Sequence, residues 1–397
     1  MGERNLMDLE KQFCPEGAPK PDRVRSPVVA GFLGTSGGVC FSREGYQGAF
    51  ARAGLNLGNL MFQSALWDMI RTPKLLLDFG HDPKAVRNDL SCFVIPSANQ
   101  VYSGWDLSVW AQFVEELDLP VTVVGLGAQA RLGESSRLQL QPGTVRYLEA
   151  IAERSWKIGV RGVYTQEVLD SLGITNTIVV GCPSNFINPR LSGAPIAAAL
   201  EKLRALDSPQ VVYNLGTLGP EFLDAEKILW KISEAHRARI VYQEHRAIKY
   251  LFDRDRQDPA LTAQLNAEVR ALQRRSSVEE CLDLIDERGE FYSDAHSWID
   301  HMRRFDMTFG MRIHGAVAAI QAGIVGICVA FDSRTWELAT TMGYPYLLAT
   351  DLTEGDGLHA LLSKVRFDPD DFDTKRALLK DNLEQLLSHS PLEFKLS

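Results

Sequence analysis

The sequence predicts an α/β protein built as two domains that face each other across a cleft. Three observations carry this. Short β-branched runs alternate with longer helix-periodic segments, and the alternation runs in two series. A span containing Pro189, Gly193, Pro195 and Pro209, residues 188–210, separates the series. The chain's 397 residues leave room for two domains at roughly 100–200 residues each. The expected division is an N-terminal α/β domain over 1–190 and a C-terminal one over 210–370. Residues 371–397 then form a terminal helix that packs back on the first domain.

In the first series the expected strands are Val28–Leu33, Cys92–Pro96, Val121–Gly125, Lys157–Val160 and Thr177–Val180. Between the last two, Val168, Leu169 and Leu172 mark the buried stripe of a helix that Gly173 stops. Another helix runs from Asn59 to Ile70, entered through Gly54-Leu-Asn-Leu-Gly58. A short helix over Ala197–Leu206 lies in the connection. The second series opens at Val211-Val-Tyr-Asn-Leu-Gly216, and the next helix buries Phe222, Ala225, Leu229 and Ile232. Strand Arg239–Gln243 and a long polar helical region to about Ser276 follow. Then come strand Glu290–Ser293, helix Ala295–Arg304, strand Met307–Phe309, helix Ile313–Gln321 and strand Val325–Ala330. Lys375 to Leu387 reads as an amphipathic helix with Leu378, Leu379, Leu383 and Leu386 on its buried face.

Composition narrows the function classes. A hydrophobic fraction of 45% and a charged fraction of 23% exclude wholesale disorder. With 42 Lys+Arg against 51 Asp+Glu, the net charge of −9 argues against bulk nucleic-acid binding. Gly315 to Phe331 is apolar, but Gln321, Gly323, Gly326 and a length below about 20 residues make it a helix, turn and strand rather than a membrane span. The six cysteines form no CxxC pair, and Met1 to Asp22 is polar with no signal-peptide core. The expected location is the cytoplasm, free or peripheral at a membrane.

The densest chemistry lies in Phe309-Gly-Met-Arg-Ile-His-Gly315, where a strand ends and a helix begins. Ligands of open α/β sheets bind at the carboxyl ends of strands, and a helix N-terminus favours anions. Arg312 adds a planar fork suited to phosphate or carboxylate, and His314 an imidazole. Phe331-Asp-Ser-Arg334 and Val160-Arg-Gly162 repeat the arrangement at two further strand ends. The plainer reading of each arginine is a structural ion pair, and of His314 a hydrogen-bonded core histidine. Three arginines at three such junctions favour an anion site. Gly125-Leu-Gly-Ala-Gln-Ala130 formally satisfies GxGxxA, but no amphipathic helix follows as a dinucleotide site requires. Gly34-Thr-Ser-Gly-Gly38 lacks a P-loop ending and reads as a turn or a sugar lining. Asp294, His296 and His301 lack metal-site spacing, and no metal is expected.

These pieces resemble the polysaccharide pyruvyl transferase family. The resemblance rests on Asn56-Leu-Gly-Asn59, Val124-Gly-Leu-Gly-Ala-Gln129, Arg161 through Ile174, Val180-Gly-Cys-Pro183, Gly310-Met-Arg-Ile-His314 and Phe331-Asp-Ser-Arg334. It implies two Rossmann-like domains facing a cleft, similar to B-type glycosyltransferases. It also implies transfer of the enolpyruvyl carbons of phosphoenolpyruvate onto two sugar hydroxyls, giving a pyruvate ketal and phosphate. Phosphoenolpyruvate is then a co-substrate with no further cofactor, and the acceptor is a sugar or glycan, free or lipid-linked. By the same resemblance Arg161, Arg312, His314 and Arg334 bind the phosphoenolpyruvate, while Asn56, Asn59 and Gln129 lie on the acceptor side. Arg312 and His314 are the catalytic candidates. Two departures stand out: the family often has lysine at Arg334 and aspartate at Asn59. An amide is no base, so either an acceptor-activating carboxylate lies elsewhere or the family's role for that position is not catalytic.

The chemistry fits that co-substrate. Guanidiniums clamp its carboxylate and phosphate, each charge-assisted contact contributing roughly 1.5–3 kcal/mol. Protonation of the methylene carbon makes C2 electrophilic, and His314 either supplies that proton or binds phosphate. Two other readings use the same scaffold: a B-type glycosyltransferase taking a nucleotide sugar, and a noncatalytic anion- or glycan-binding protein.

Overall fold

The computed structural model describes residues 28–216, 219, 221–244, 246–272 and 277–396. The polar stretch Met1 to Asp22, with Cys14, lies outside them, as does the end of the polar region at Ser276.

The first six strands are β1 (Ala30–Leu33), β2 (Lys74–Leu77), β3 (Cys92–Pro96), β4 (Val121–Leu126), β5 (Ile158–Val160) and β6 (Thr177–Val179). The second six are β7 (Val211–Asn214), β8 (Arg239–Val241), β9 (Gly289–Glu290), β10 (Met307–Gly310), β11 (Val325–Ala330) and β12 (Tyr346–Leu348). They form two sheets, β2-β1-β3-β4-β5-β6 and β12-β11-β10-β7-β8-β9. Every pairing is parallel. Helices cover both faces, so β3, β4 and β11 are buried along their whole length. The second sheet has the Rossmann order and the first a flavodoxin-like order with one strand added. Each order reverses once, between β1 and β3 in one sheet and between β7 and β10 in the other. Those reversals are where open α/β sheets take ligands.

Differences from the sequence reading fall at the edges. β2 and β12 were not expected. Both are edge strands, and Lys74-Leu-Leu-Leu77 has neither β-branched residues nor full burial to signal them. The β8 and β9 runs end sooner than expected, because residues beyond Val241 and Glu290 turn into cleft loops. The polar helical region is three helices, Ala247–Asp253, Pro259–Leu272 and Val278–Arg288. In helix Leu223–Ala235 the buried stripe runs through Ile228, Leu229, Trp230 and Ile232, with Phe222 and Ala225 only half-buried.

The terminal helix is Pro369–Ser388 and buries Phe372, Arg376, Leu379, Leu383, Leu386 and Leu387. Leu378, expected on that face, is 58% exposed, because the stripe follows the 3.6-residue period through its neighbour Leu379. The helix reaches the first sheet, where Asn382 donates to the Val179 carbonyl at 2.8 Å. The chain after it pairs with Ile70 and Arg71. Gly315 to Phe331 is indeed a buried helix (Ile313–Ala322), a left-handed Gly323 and strand β11. Among the described residues no helix is long and apolar enough to cross a membrane.

Backbone hydrogen bonds lock the two halves together. Ser333 N–H donates to the Ala130 carbonyl at 3.1 Å, and Ala130 N–H donates to the Ser333 hydroxyl at 2.9 Å. Leu57 N–H reaches the Gln243 carbonyl, and Val39 N–H the Ser293 carbonyl. Glu337 accepts from both the amide and the hydroxyl of Thr165, each at 2.7 Å. The loops after β4 and β11 thus hold each other across the cleft.

Candidate active site

Arg161 leaves the end of β5 and points inward, only 2% exposed. Its Nε donates to the Gly125 carbonyl at 2.9 Å and its Nη2 to the Ser97 carbonyl at 3.5 Å. The glycines at the end of β4 make room for this side chain. A Cβ on Gly127 would stand 2.7 Å from Arg161 Cδ, and the bulge at Gly125 (φ +84°) aims its carbonyl at the guanidinium. Burial pulls the proton affinity of Arg161 below the usual arginine range. Among the described residues no carboxylate lies within ion-pair distance of it. An unpaired buried charge costs several kcal/mol, a cost that an anion bound beside it would offset.

Arg312 follows β10. Gly310 (φ +143°) turns the chain there, where a Cβ would meet the Asn214 carbonyl at 2.3 Å. Arg312 caps helix Ile313–Ala322 and is buried, donating from Nη2 to Glu244 Oε2 at 2.6 Å. His314 sits in the first turn of that helix. Its ring packs on Phe62 at 5.6 Å, and Nε2 lies 4.0 Å from Cys182 Sγ. Burial, then Arg161 and Arg334, hold the imidazole well below the ordinary histidine range, which favours its neutral form. Arg334 follows β11, its Nε 3.6 Å from Asp332 Oδ2, and neither atom has a hydrogen-bond partner.

These four side chains line one small polar chamber with Asn56, Asn59, Ala98, Asn99, Gln243 and Ile313. The chamber sits at the β7/β10 reversal. Gln243 contributes a buried Nε2 with no hydrogen-bond partner, one more N–H donor in the chamber. The chamber has room for about 20 Å³, the space of a water. It adjoins a cavity of about 550 Å³ at the β1/β3 reversal, with which it shares Asn56, Asn59, Ala98, Asn99 and Arg334. Phe79, Trp105 and Trp110 make that cavity's aromatic wall, and Asp78 and Glu244 are its carboxylates. Trp110 stacks on Phe79 at 4.3 Å, and Trp105 is 41% exposed.

The acceptor-side candidates divide. Asn56 lines both spaces; its side chain accepts from Gly58 N–H at 2.7 Å and donates to Glu244 Oε1. Asn59 lines both, but its amide donates to the Ala53 and Gly54 carbonyls, a helix-entry role that needs no carboxylate. Gln129 stands behind the wall, accepting from Asn99. Gly34 lines the cavity, while Thr35 and Gly37 fasten its loop to Gln63 and Ser64. The histidines weighed as metal ligands are otherwise engaged: His296 with Asp68 and Ser64, His301 with Tyr292 and Glu290. Asp294 caps helix Ala295–Met302.

A profile of polysaccharide pyruvyl transferases matches residues 56–333, from the Asn56 loop to the Arg334 junction. The chain belongs to the polysaccharide pyruvyl transferase family. Solved structures similar to this transferase include UDP-GlcNAc 2-epimerase from Methanocaldococcus jannaschii, at 10% identity over 90% of this chain and 99% of that one, TM-score 0.42. An Anabaena protein in complex with UDP and glucose is 11% identical over 92% and 100%, TM-score 0.43. A Rickettsia africae glycosyltransferase is 10% identical over 92% and 100%, TM-score 0.35. No curated protein matches the chain.

Reading the sequence for chemistry missed Glu244, Asp78, Phe62, Gln243 and Cys182. Arg312 meets Glu244 across 68 residues of chain, and Cys182 meets His314 across 132. The β8 strand end was visible, and a rule scanning strand ends for carboxylates as well as arginines would have found Glu244.

Proposed function

We propose that the transferase moves the pyruvyl carbons of phosphoenolpyruvate onto two hydroxyls of a sugar, forming a cyclic pyruvate ketal and releasing phosphate. The observation that carries this reading is Arg161, a buried guanidinium with no carboxylate at ion-pair distance among the described residues, sharing its chamber with Arg312, Arg334 and His314. Phosphoenolpyruvate brings a carboxylate and a phosphate a few bonds apart, which supplies the missing negative charge at both ends of such a cluster. The sugar takes the larger cavity, where exposed tryptophan faces suit the apolar faces of a pyranose ring.

Burial first, and then the cations Arg161 and Arg334, favour the neutral form of His314. A multiply charged anion beside it reverses that field, so the imidazole takes up a proton as the co-substrate binds. His314 then delivers that proton to C3, and C2 becomes open to attack. Two C2–O bonds form to the sugar, and the C2–O bond to phosphate breaks with the electron pair leaving on phosphate. One hydroxyl proton replaces the one given to C3, and the other leaves with phosphate.

The test is mass spectrometry of candidate glycans incubated with phosphoenolpyruvate. The expected product carries the mass gain of a pyruvate ketal with matching phosphate release. Release of a nucleotide from a nucleotide sugar, with phosphoenolpyruvate untouched, would point to glycosyl transfer instead.

A further inference from the structure

Ketal formation needs a group that takes a proton from an attacking hydroxyl, and Asn59 has no capacity for it. The cavity offers two carboxylates. Asp78 is bound by Gly80 N–H and His81 Nδ1, both at 2.9 Å, and contacts nothing that lines the chamber. Glu244 stands on the partition itself. It lines the cavity, yet its Oε2 accepts from Arg312 of the chamber and its Oε1 from Asn56, which lines both.

We propose that Glu244 is the base for the acceptor, and that phosphoenolpyruvate puts it to work by displacing it from Arg312. The inference rests on the pyruvyl-transfer reading above. A carboxylate on a guanidinium occupies the position that a ligand's carboxylate or phosphate oxygen requires. Glu244 holds that position in the structure, its Oε2 2.6 Å from Arg312 Nη2, so it competes with the ligand for the guanidinium. An incoming anion takes the Arg312 fork. Like-charge repulsion then turns Glu244 toward the cavity it already lines, where the sugar hydroxyl lies. Glu244 takes the first hydroxyl's proton as its oxygen bonds to C2, and returns that proton through solvent to His314, which has spent its own on C3. The second hydroxyl's proton leaves on phosphate. The base is thus freed toward the acceptor only when the co-substrate is in place.

Glu244→Gln and Glu244→Ala separate this from a structural role, because affinity and turnover should move in opposite directions. Calorimetry with phosphoenolpyruvate alone should show about tenfold tighter binding in both variants, since no carboxylate competes for Arg312. Ketal formation should fall at least about 100-fold in kcat, the scale of a lost general base. Turnover is read on whichever of a panel of p-nitrophenyl hexosides and N-acetylhexosaminides the wild-type enzyme converts. Formate added to Glu244→Ala should restore part of the rate. Unchanged or weaker binding in both variants overturns the displacement, and turnover within threefold of wild type overturns the base. Wild-type enzyme that fails to bind phosphoenolpyruvate, or binds it and converts no sugar, overturns the transfer reading and this inference with it.

Discussion

The two sheets each reverse their strand order once, and the two reversals have been put to different uses. At β7/β10 the chain built a tight chamber of guanidiniums and one imidazole, held by carbonyls and a helix start. At β1/β3 it built a cavity more than twenty times larger, walled by tryptophan and phenylalanine. One topology therefore supplies both a charge trap and a ring platform, and the side chains at the strand ends decide which. The chamber draws on both halves, since Arg161 comes from the first sheet and Arg312, His314 and Arg334 from the second.

Substitutions that strike one space and spare the other sharpen that contrast. The largest effect is expected at Arg161. Arg161→Met should abolish measurable phosphoenolpyruvate binding and lower kcat/KM at least about 1,000-fold, two lost charge-assisted contacts at roughly 1.5–3 kcal/mol each. Its thermal midpoint should stay within a few degrees of wild type, because an apolar chain removes an unpaired buried charge. A collapse of stability with binding intact would mean the arginine is structural. His314→Gln should lower kcat about 100- to 1,000-fold while calorimetric affinity for phosphoenolpyruvate changes only a few-fold. Wild-type turnover at saturating phosphoenolpyruvate would remove the acid role.

On the cavity side, Trp105→Ala should raise the acceptor KM about fivefold and leave phosphoenolpyruvate affinity untouched, losing about 1 kcal/mol of ring contact. An effect on both affinities would erase the division between the spaces. The smallest change is expected at the joint between the halves. Burial raises the Glu337 carboxyl to about 7 against the pull of Thr165 and Arg161. The folded protein then holds a proton that the unfolded chain gives up above about 4.5. Its contribution to stability is therefore complete below that pH and is lost as pH rises to about 7, on the order of 3 kcal/mol. Glu337→Gln should shrink the fall in thermal midpoint between pH 5 and pH 8 by a few degrees. Glu226, also raised by burial to about 7, and His314, whose lowered value works in the opposite sense, are common to both proteins and cancel in the difference. An identical pH dependence in variant and wild type would exclude Glu337 from the effect.

What could be read from the sequence follows from what is local. The central strands Cys92–Pro96 and Val325–Ala330 came out with their observed bounds because burial on both faces leaves an unbroken apolar run. The edge strands β2 and β12 carry no such run. Arg161, Arg312, His314 and Arg334 were visible because each sits at a strand-to-helix junction, a feature of neighbouring residues. Glu244 and Phe62 were not, since their parts depend on contacts that only the folded chain creates. Gly127 was seen, but as half of a weak nucleotide signature, when its lack of a side chain makes room for the stem of Arg161.

The partition shared by the two spaces has a kinetic consequence. Asn56, Asn59, Ala98, Asn99 and Arg334 belong to both, so a sugar seated on the tryptophan wall stands in the passage leading to the guanidiniums. On the pyruvyl-transfer reading the mechanism is then compulsory-order, with phosphoenolpyruvate first on and phosphate last off. Excess glycan should inhibit, by sealing an unloaded enzyme before its small partner arrives.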